Sequence, residues 1–397
     1  MIYAGVDVGG MSIKCCLATE KGEILIKDSF VTKDAITCAE MAEQTASFIK
    51  SLAAKAGVDM KDVAAVGMGT PGTVDGKKGV IVYSNNIKLE HAPIVKEMQK
   101  HLSCPVYVGN DANAAALGEA VFGAAKGLSD VLLVTLGTGV GTGIVANGKM
   151  ITGMGGAGAE GGHIVIRMKG EPCTCGNRGC FEAYASASAL LRQTEAVVAR
   201  RPDSLLASLW KKNGRSGIVP FDAAKAGDPA GLKVIRDYVN YVAQGLAGLV
   251  NIFRPDVVLI GGGISNQGDY FIKKVSRKLN AIVYGAGINP RVKVKAADLK
   301  AAAMKISFRR HLPVSYDVGG AKIGPADFLF ATLEVLDTGA EEVLVSPREQ
   351  LGDIAARFPK LARFNHCRPP SWVILWPKFK DQYLSDRLRW QYWTLRY

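Results

Sequence analysis

Long apolar runs are missing from this 397-residue sequence. The most apolar stretches, residues 257–260 and the glycine-broken 242–253, fall well short of the roughly 18 residues that cross a bilayer, which excludes a membrane span. A basic segment leading to an apolar stretch and a small-residue cleavage site is also missing. The chain opens Met1-Ile2-Tyr3-Ala4-Gly5-Val6, directly into an apolar strand, so the expected location is cytoplasmic. Blocks of five or more like charges are absent too. The 49 Lys and Arg exceed the 36 Asp and Glu to give +13, but the surplus is spread as on a solvated surface and forms no nucleic-acid footprint. Neither nucleic acid nor a membrane is an expected partner. Two common nucleotide signatures are lacking as well. No Gly-Lys-Ser/Thr follows the glycines near the start, which excludes a Walker A loop, and those glycines lead into a strand, which excludes the dinucleotide fingerprint.

What is present is a globular composition, 48% apolar with 45 Gly, long enough for two or three domains at roughly 150 residues each. Residues 3–18 read as strand, turn, strand, a hairpin with Gly9 and Gly10 at its tip. Residues 131–145 repeat the pattern around Gly137-Thr138-Gly139-Val140-Gly141, and Asn147-Gly148 follows as a two-residue turn in which both positions tolerate φ > 0. The chain therefore reads as two related halves. Between the hairpins, residues 39–56 have helical spacing (Met41, Thr45, Phe48, Ile49, Leu52), 63–68 form a strand, 94–102 a helix and 106–108 a strand. Beyond them, 183–200 and 232–253 are helical by period, and 257–260 form a buried strand ending in Gly261-Gly262-Gly263. Alternating strands and helices imply an α/β fold. The expected organisation is an α/β domain over 1–120, a second over 121–300 and a divergent tail over 301–397.

A glycine hairpin after a buried strand lets backbone N–H groups approach a phosphate, and an Asp at its mouth can hold Mg²⁺ through water. Asp7, Gly9 and Gly10 fit that role, and Gly137, Thr138 and Gly139 match them in the second half. Phosphates of a nucleotide held between the halves are the leading expectation. Of the eight cysteines, Cys173, Cys175 and Cys180 fall within eight residues, which in a reducing compartment reads as a metal site and not a disulfide framework. The other five read as small buried residues.

Four stretches occur in order: Asp7-Val8-Gly9-Gly10, Gly109-Asn110-Asp111-Ala112-Asn113, Gly158-Ala159-Glu160-Gly161-Gly162-His163, and Cys173-Thr174-Cys175-Gly176-Asn177-Arg178-Gly179-Cys180-Phe181-Glu182. Together they resemble the ROK family, which contains bacterial sugar kinases and sugar-sensing repressors, over about residues 1–300. The resemblance implies a two-domain, actin-like (ribonuclease-H-like) sugar-kinase fold with its site in the interdomain cleft. It implies ATP-dependent phosphorylation of a hexose, glucose to glucose 6-phosphate, with Mg²⁺. Asp111 is then the catalytic base, and Asn110, Glu160, Glu182 and His163 meet sugar hydroxyls. Gly72 backs the sugar, and Asn85 or Asn86 meets a ring hydroxyl. Met11, Ser12 and Lys14 continue the ATP-contacting stretch of the first hairpin, and Gly262 and Gly263 belong to an adenosine loop. Joined to His163, the three cysteines make a Cys₃His set with all four tetrahedral positions filled by protein, so the Zn²⁺ is structural. By fixing its loop the zinc would fix Glu160 and Glu182. Family members are commonly dimers or tetramers, so a homo-oligomer is expected.

The sequence departs from the family in two places. Met11 stands where many members have Thr after the paired glycines, with a hydroxyl only at Ser12. Residues 295–305 begin like the family's closing helix and then diverge into Ile306-Ser307-Phe308-Arg309-Arg310, and Trp372, Trp376, Trp390 and Trp393 crowd the end. The tail reads as an appended piece or as a partner-binding module. The alternatives to a glucose kinase are a kinase of fructose, N-acetylmannosamine or N-acetylglucosamine, or an inactive sugar-binding relic. A repressor is disfavoured, because a hairpin starting at Asp7 leaves no room for a preceding helix-turn-helix.

Overall fold

The computed structural model describes residues 1–298 except Met11 and Asp34, together with the backbone of two short antiparallel strands, Tyr316–Val318 and Ala321–Ile323. The remainder of the 301–397 tail lies outside the described residues. Residues 1–298 fall in one compact unit.

The first half opens with an antiparallel meander, β1 (Ile2–Val8), β2 (Ser12–Thr19) and β3 (Ile24–Val31). Helix α1 (Cys38–Lys55) follows, started by a capping box in which Thr37 Oγ1 accepts from Glu40 N and Thr37 N donates to Glu40 Oε2. Its Met41, Thr45, Ile49 and Leu52 recur at helical spacing and are buried against the sheet. Strand β4 (Val63–Thr70) then joins β1 in parallel. A small sheet of β5 (Thr73–Asp75), β6 (Val80–Ser84) and β7 (Leu89–Ala92) and a short α2 (Ile94–Met98) precede β8 (Val106–Asn110), which is parallel to β4. The sheet order is β3-β2-β1-β4-β8.

Helix α3 (Asp111–Phe122) leads to the second half, where β9 (Val131–Leu136), β10 (Val140–Ala146) and β11 (Lys149–Met150) repeat the meander. Asn147 and Gly148 both have positive φ, as the β10–β11 turn requires. A long loop with few regular elements and five helices follow: α4 (Glu182–Ala185), α5 (Ala187–Arg200), α6 (Leu205–Asn213), α7 (Val219–Lys225) and α8 (Pro229–Phe253). Asp228 caps α8 ahead of Pro229, and Arg254 ends it in the left-handed conformation. Strand β12 (Val257–Gly261) pairs in parallel with β9, and after α9 (Asp269–Ile282) β13 (Lys293–Ala296) pairs in parallel with β12. The order β11-β10-β9-β12-β13 repeats the first sheet strand for strand, so the repeat read from the two glycine hairpins is a repeat of topology.

Two helices differ from the periodic reading. The stretch 183–200 breaks at Ser186, which adopts an extended conformation and caps α5 by accepting from Ala189 N at 3.1 Å. The stretch 94–102 is regular helix only to Met98. The second sheet is buried on both faces: Leu132, Val134 and Ile260 pack under α8 and α9, while Val131, Leu133 and Leu259 pack with Ala116 of α3. No helix among the described residues is long and apolar enough to cross a membrane.

Candidate active site

Strand β8 ends at Asn110, whose Oδ1 accepts from Asn113 N at 3.0 Å and so caps α3, while its Nδ2 donates to Gly72 O at 3.1 Å. The cap puts Asp111 at the first position of the helix. Asp111 Oδ1 accepts from Ala112 N at 2.8 Å, which leaves Oδ2 for another partner. Burial pushes the Asp111 carboxyl above its ordinary range; the Ala112 N–H opposes the shift, and the Asp7 charge adds to it. Gly72 has φ +95°, and a Cβ there would lie 2.1 Å from Tyr83 O, so only glycine fits at this crossing. Asn85 and Asn86 are exposed in the turn after β6. Of the two, Asn86 is packed on the first hairpin: its carbonyl oxygen is 3.2 Å from where a Cβ of Gly10 would stand.

The first hairpin closes with Gly9 N donating to Ser12 O at 2.9 Å, and its register sets Asp7 opposite Lys14. Lys14 Nζ lies 3.1 Å from Asp7 Oδ2, so the lysine expected to meet phosphate is paired with the aspartate whose charge acts on Asp111. Met11 lies outside the described residues. The second hairpin turns with Gly137 N donating to Gly139 O at 3.0 Å. The Ser186 break lets the start of α5 hold this turn: Ala187 N donates to Gly137 O at 2.7 Å and Ser188 Oγ to Thr138 O at 2.9 Å.

Packing explains some of these glycines and leaves others for a ligand. A Cβ on Gly139 would meet Glu182 Oε2 at 2.4 Å, and one on Gly262, at φ +81°, would meet Leu136 O at 2.4 Å. On Gly137 and Gly263 a Cβ would meet nothing within 4 Å, and neither needs a positive φ. Their bare backbone faces open space, the condition for a phosphate or nucleoside to lie against it.

The Cys₃His residues converge. The candidate ligand atoms of His163, Cys173, Cys175 and Cys180 all lie within 4.8 Å of one another. Cys175 Sγ and Cys180 Sγ are 3.7 Å apart, and Cys173 Sγ is 3.7 Å from His163 Nδ1. Tetrahedral Zn–S bonds of about 2.3 Å set sulfurs roughly 3.8 Å apart, so the set fits one Zn²⁺. Glu182, two residues after Cys180, bridges this loop and the second hairpin. Its Oε1 accepts from Thr174 Oγ1 at 2.9 Å and its Oε2 from Val140 N at 2.9 Å. Both of its oxygens therefore already have protein partners. Glu160 is exposed, and its carboxyl is raised first by desolvation, lowered by His163, and raised again by the Asp111 and Glu182 charges. The charges of His163, Asp111 and Glu182 thus all act on Glu160.

One contributor was not read from the sequence. Thr142 on β10 accepts from Gly161 N at 2.8 Å and donates to Ala159 O, holding the backbone on both sides of Glu160. Its signal is a lone hydroxyl between Gly141 and Gly143 in an otherwise apolar strand.

Residues 3–305 match the ROK family. A glucokinase of Halalkalibacterium halodurans is 37% identical over 281 residues, covering 70% of this chain and 85% of that protein. A xylose repressor of Caldicellulosiruptor bescii is 31% identical over 312 residues, covering 76% of this chain and 77% of that protein. Among solved structures, a ROK family glucokinase from Streptomyces griseus in complex with glucose and AMPPNP gives a TM-score of 0.67 at 34% identity, over 77% of this chain and 98% of that one.

Proposed function

Because the chain belongs to the ROK family and has its two-domain, actin-like α/β fold, we propose that it is an ATP-dependent hexose kinase whose preferred sugar is glucose. The observation that carries the reading is Asp111, a half-buried carboxylate at a helix start whose Oδ1 is held by Ala112 N and whose pKa desolvation raises above the ordinary carboxylate range. The 6-hydroxyl of the sugar gives its proton to Asp111 Oδ2 as its oxygen bonds to the γ-phosphorus, the bond from that phosphorus to the β–γ bridging oxygen breaks, and ADP leaves. Little else is required of the protein than positioning and charge neutralisation.

Backbone N–H groups of Gly10, Thr138 and Gly139 supply phosphate contacts at the two turns that the Gly9 and Gly137 N–H groups close, and Gly262 and Gly263 receive the nucleoside. Asp7 would hold Mg²⁺ through water, and that ion supplies neutralisation of the phosphate charge. His163, Cys173, Cys175 and Cys180 would hold the structural Zn²⁺. Glu160, the free ring nitrogen of His163, Asn86 and the second Nδ2 hydrogen of Asn110 pair with sugar hydroxyls, so an analogue lacking one leaves a polar group unpaired. Residues 1–120 and 121–300 act as two domains that close on the sugar and exclude water, which limits ATP hydrolysis.

The test is ATP-dependent phosphorylation by the full chain of glucose, fructose, mannose, N-acetylmannosamine and N-acetylglucosamine. Selective turnover of glucose supports the reading. Turnover of another hexose reassigns the sugar and keeps the chemistry. The similarity to a xylose repressor favours one other reading, sugar binding without transfer; a sugar-dependent rise in Tm with no turnover in the panel would establish it.

A further inference from the structure

Strand β10 contacts the Glu182 carboxylate and the residues that flank Asp111 and Glu160. Its first residue, Val140, donates its N–H to Glu182 Oε2. Gly141 and Gly143 seat α3, the helix that begins with Asp111: a Cβ on Gly141 would lie 3.1 Å from Ala112 Cβ, and one on Gly143 would lie 2.5 Å from Ala112 O and from Ala116 Cβ. Thr142, between them, is buried and points to the opposite face. There its single hydroxyl accepts from Gly161 N and donates to Ala159 O, one hydrogen bond on each side of Glu160. The segment it holds is not at rest by itself. Ala159 has φ +66°, a left-handed conformation that a side chain disfavours, and Gly161 and Gly162 lie so close to β10 that Cβ atoms would stand 2.9 Å from Thr142 Oγ1 and 2.1 Å from Val140 O.

We propose that Thr142 is a positioning residue for sugar recognition: by bonding the backbone on both sides of Glu160, it fixes the distance between the Glu160 carboxylate and Asp111 across β10. The proposal rests on reading the site as a hexose-kinase site. One strand serves as the ruler, with the base carried on one face and a hydroxyl-binding carboxylate on the other. Valine at position 142 keeps the shape of threonine and loses both bonds; serine keeps both.

The experiment compares wild type, Thr142→Val and Thr142→Ser as full-length chains, with kcat, the KM for glucose and for ATP, glucose affinity by calorimetry without nucleotide, and amide exchange of residues 159–163. For Thr142→Val, the KM and Kd for glucose are expected to rise about tenfold or more, the size of one charge-assisted hydrogen bond, with the KM for ATP within about twofold. The Gly161 amide exchanges faster, and Thr142→Ser returns all values to within about threefold of wild type. Unchanged glucose affinity in Thr142→Val overturns the proposal. So does a parallel rise of both KM values, which would mark general loosening, or a failure of serine to rescue. Wild type that binds glucose but transfers no phosphate refutes the kinase reading alone, and the affinity and exchange comparisons still decide the role of Thr142. Wild type that binds no sugar overturns both.

Discussion

Replacing Asp111 by Asn separates chemistry from folding at this site. The two side chains have the same shape, the amide oxygen can still accept from Ala112 N at the 2.8 Å now used by Oδ1, and the Asn110 cap of α3 is untouched. What is lost is the proton acceptor. General-base contributions of about 10²–10⁴ in rate correspond to about 3–5 kcal/mol of barrier, and kcat is expected to fall by that factor. Stability should move the other way. Burial and the Asp7 charge raise the Asp111 pKa despite the helical N–H groups that favour its anion, so the ionised carboxylate is less at ease in the fold than in the unfolded chain. A neutral amide removes that penalty, and Tm is expected to equal or exceed that of wild type. The assay is initial-rate ADP production with glucose alongside a thermal melt of the same samples. A kcat within tenfold of wild type would refute the base assignment. A Tm lower by more than about 4 °C, the scale of roughly 2–3 kcal/mol in a unit of this size, would refute the electrostatic argument.

The same raised pKa predicts an acid limb in kcat/KM that lies above the ordinary carboxylate range and disappears in Asp111→Asn. With folded above unfolded pKa, the Asp111 contribution to stability is full below the unfolded value and is lost as pH rises through the folded one, so the Tm of the variant relative to wild type should climb as pH rises through that window. Purified protein is expected to carry about one zinc per chain by metal analysis; chelation or Cys175→Ser should remove it, lower Tm and raise the KM for glucose, and zinc-free protein of full activity would refute the bracing role. Gly263→Ala places a Cβ in open space, so stability should hold within about 0.5 kcal/mol while the KM for ATP rises; an unchanged KM would remove this loop from the nucleotide site.

Much of the fold was legible because its signals are local. The Gly9-Gly10 and Gly137–Gly139 turns sit between short apolar strands, and the apolar runs at 63–68 and 257–260 are β4 and β12, each parallel to the first strand of its hairpin. Asn110-Asp111 stood out only through its motif; that Asn110 caps a helix, and α3 itself, were not read from the sequence. The break at Ser186 was missed because the apolar period runs through it and only the capping bond to Ala189 N reveals it. Helices α6 and α7 were missed in a stretch with weaker periodicity, closed instead by packing of Leu206, Val219 and Phe221 against α8. Glu182 was read as a sugar ligand from its motif alone; that its two oxygens meet Thr174 and Val140 depends on β10, which is more than forty residues earlier in the chain.

The repeat also explains where the halves had to diverge. Both sheets place a glycine turn after their first strand, and symmetry alone would give two equivalent phosphate loops. The bonds at the two tips differ, however. In the first, Asp7 is paired with Lys14 and its charge acts on Asp111. In the second, the turn carbonyls are taken by Ala187 and Ser188 of α5, and the next residue, Val140, holds Glu182. The segment between β11 and β12 is far longer than its counterpart between β3 and β4, which holds α1, and it carries both the Cys₃His loop and α5. It therefore ties the second hairpin to Glu182 and the Cys₃His loop, a tie for which the first hairpin has no equivalent.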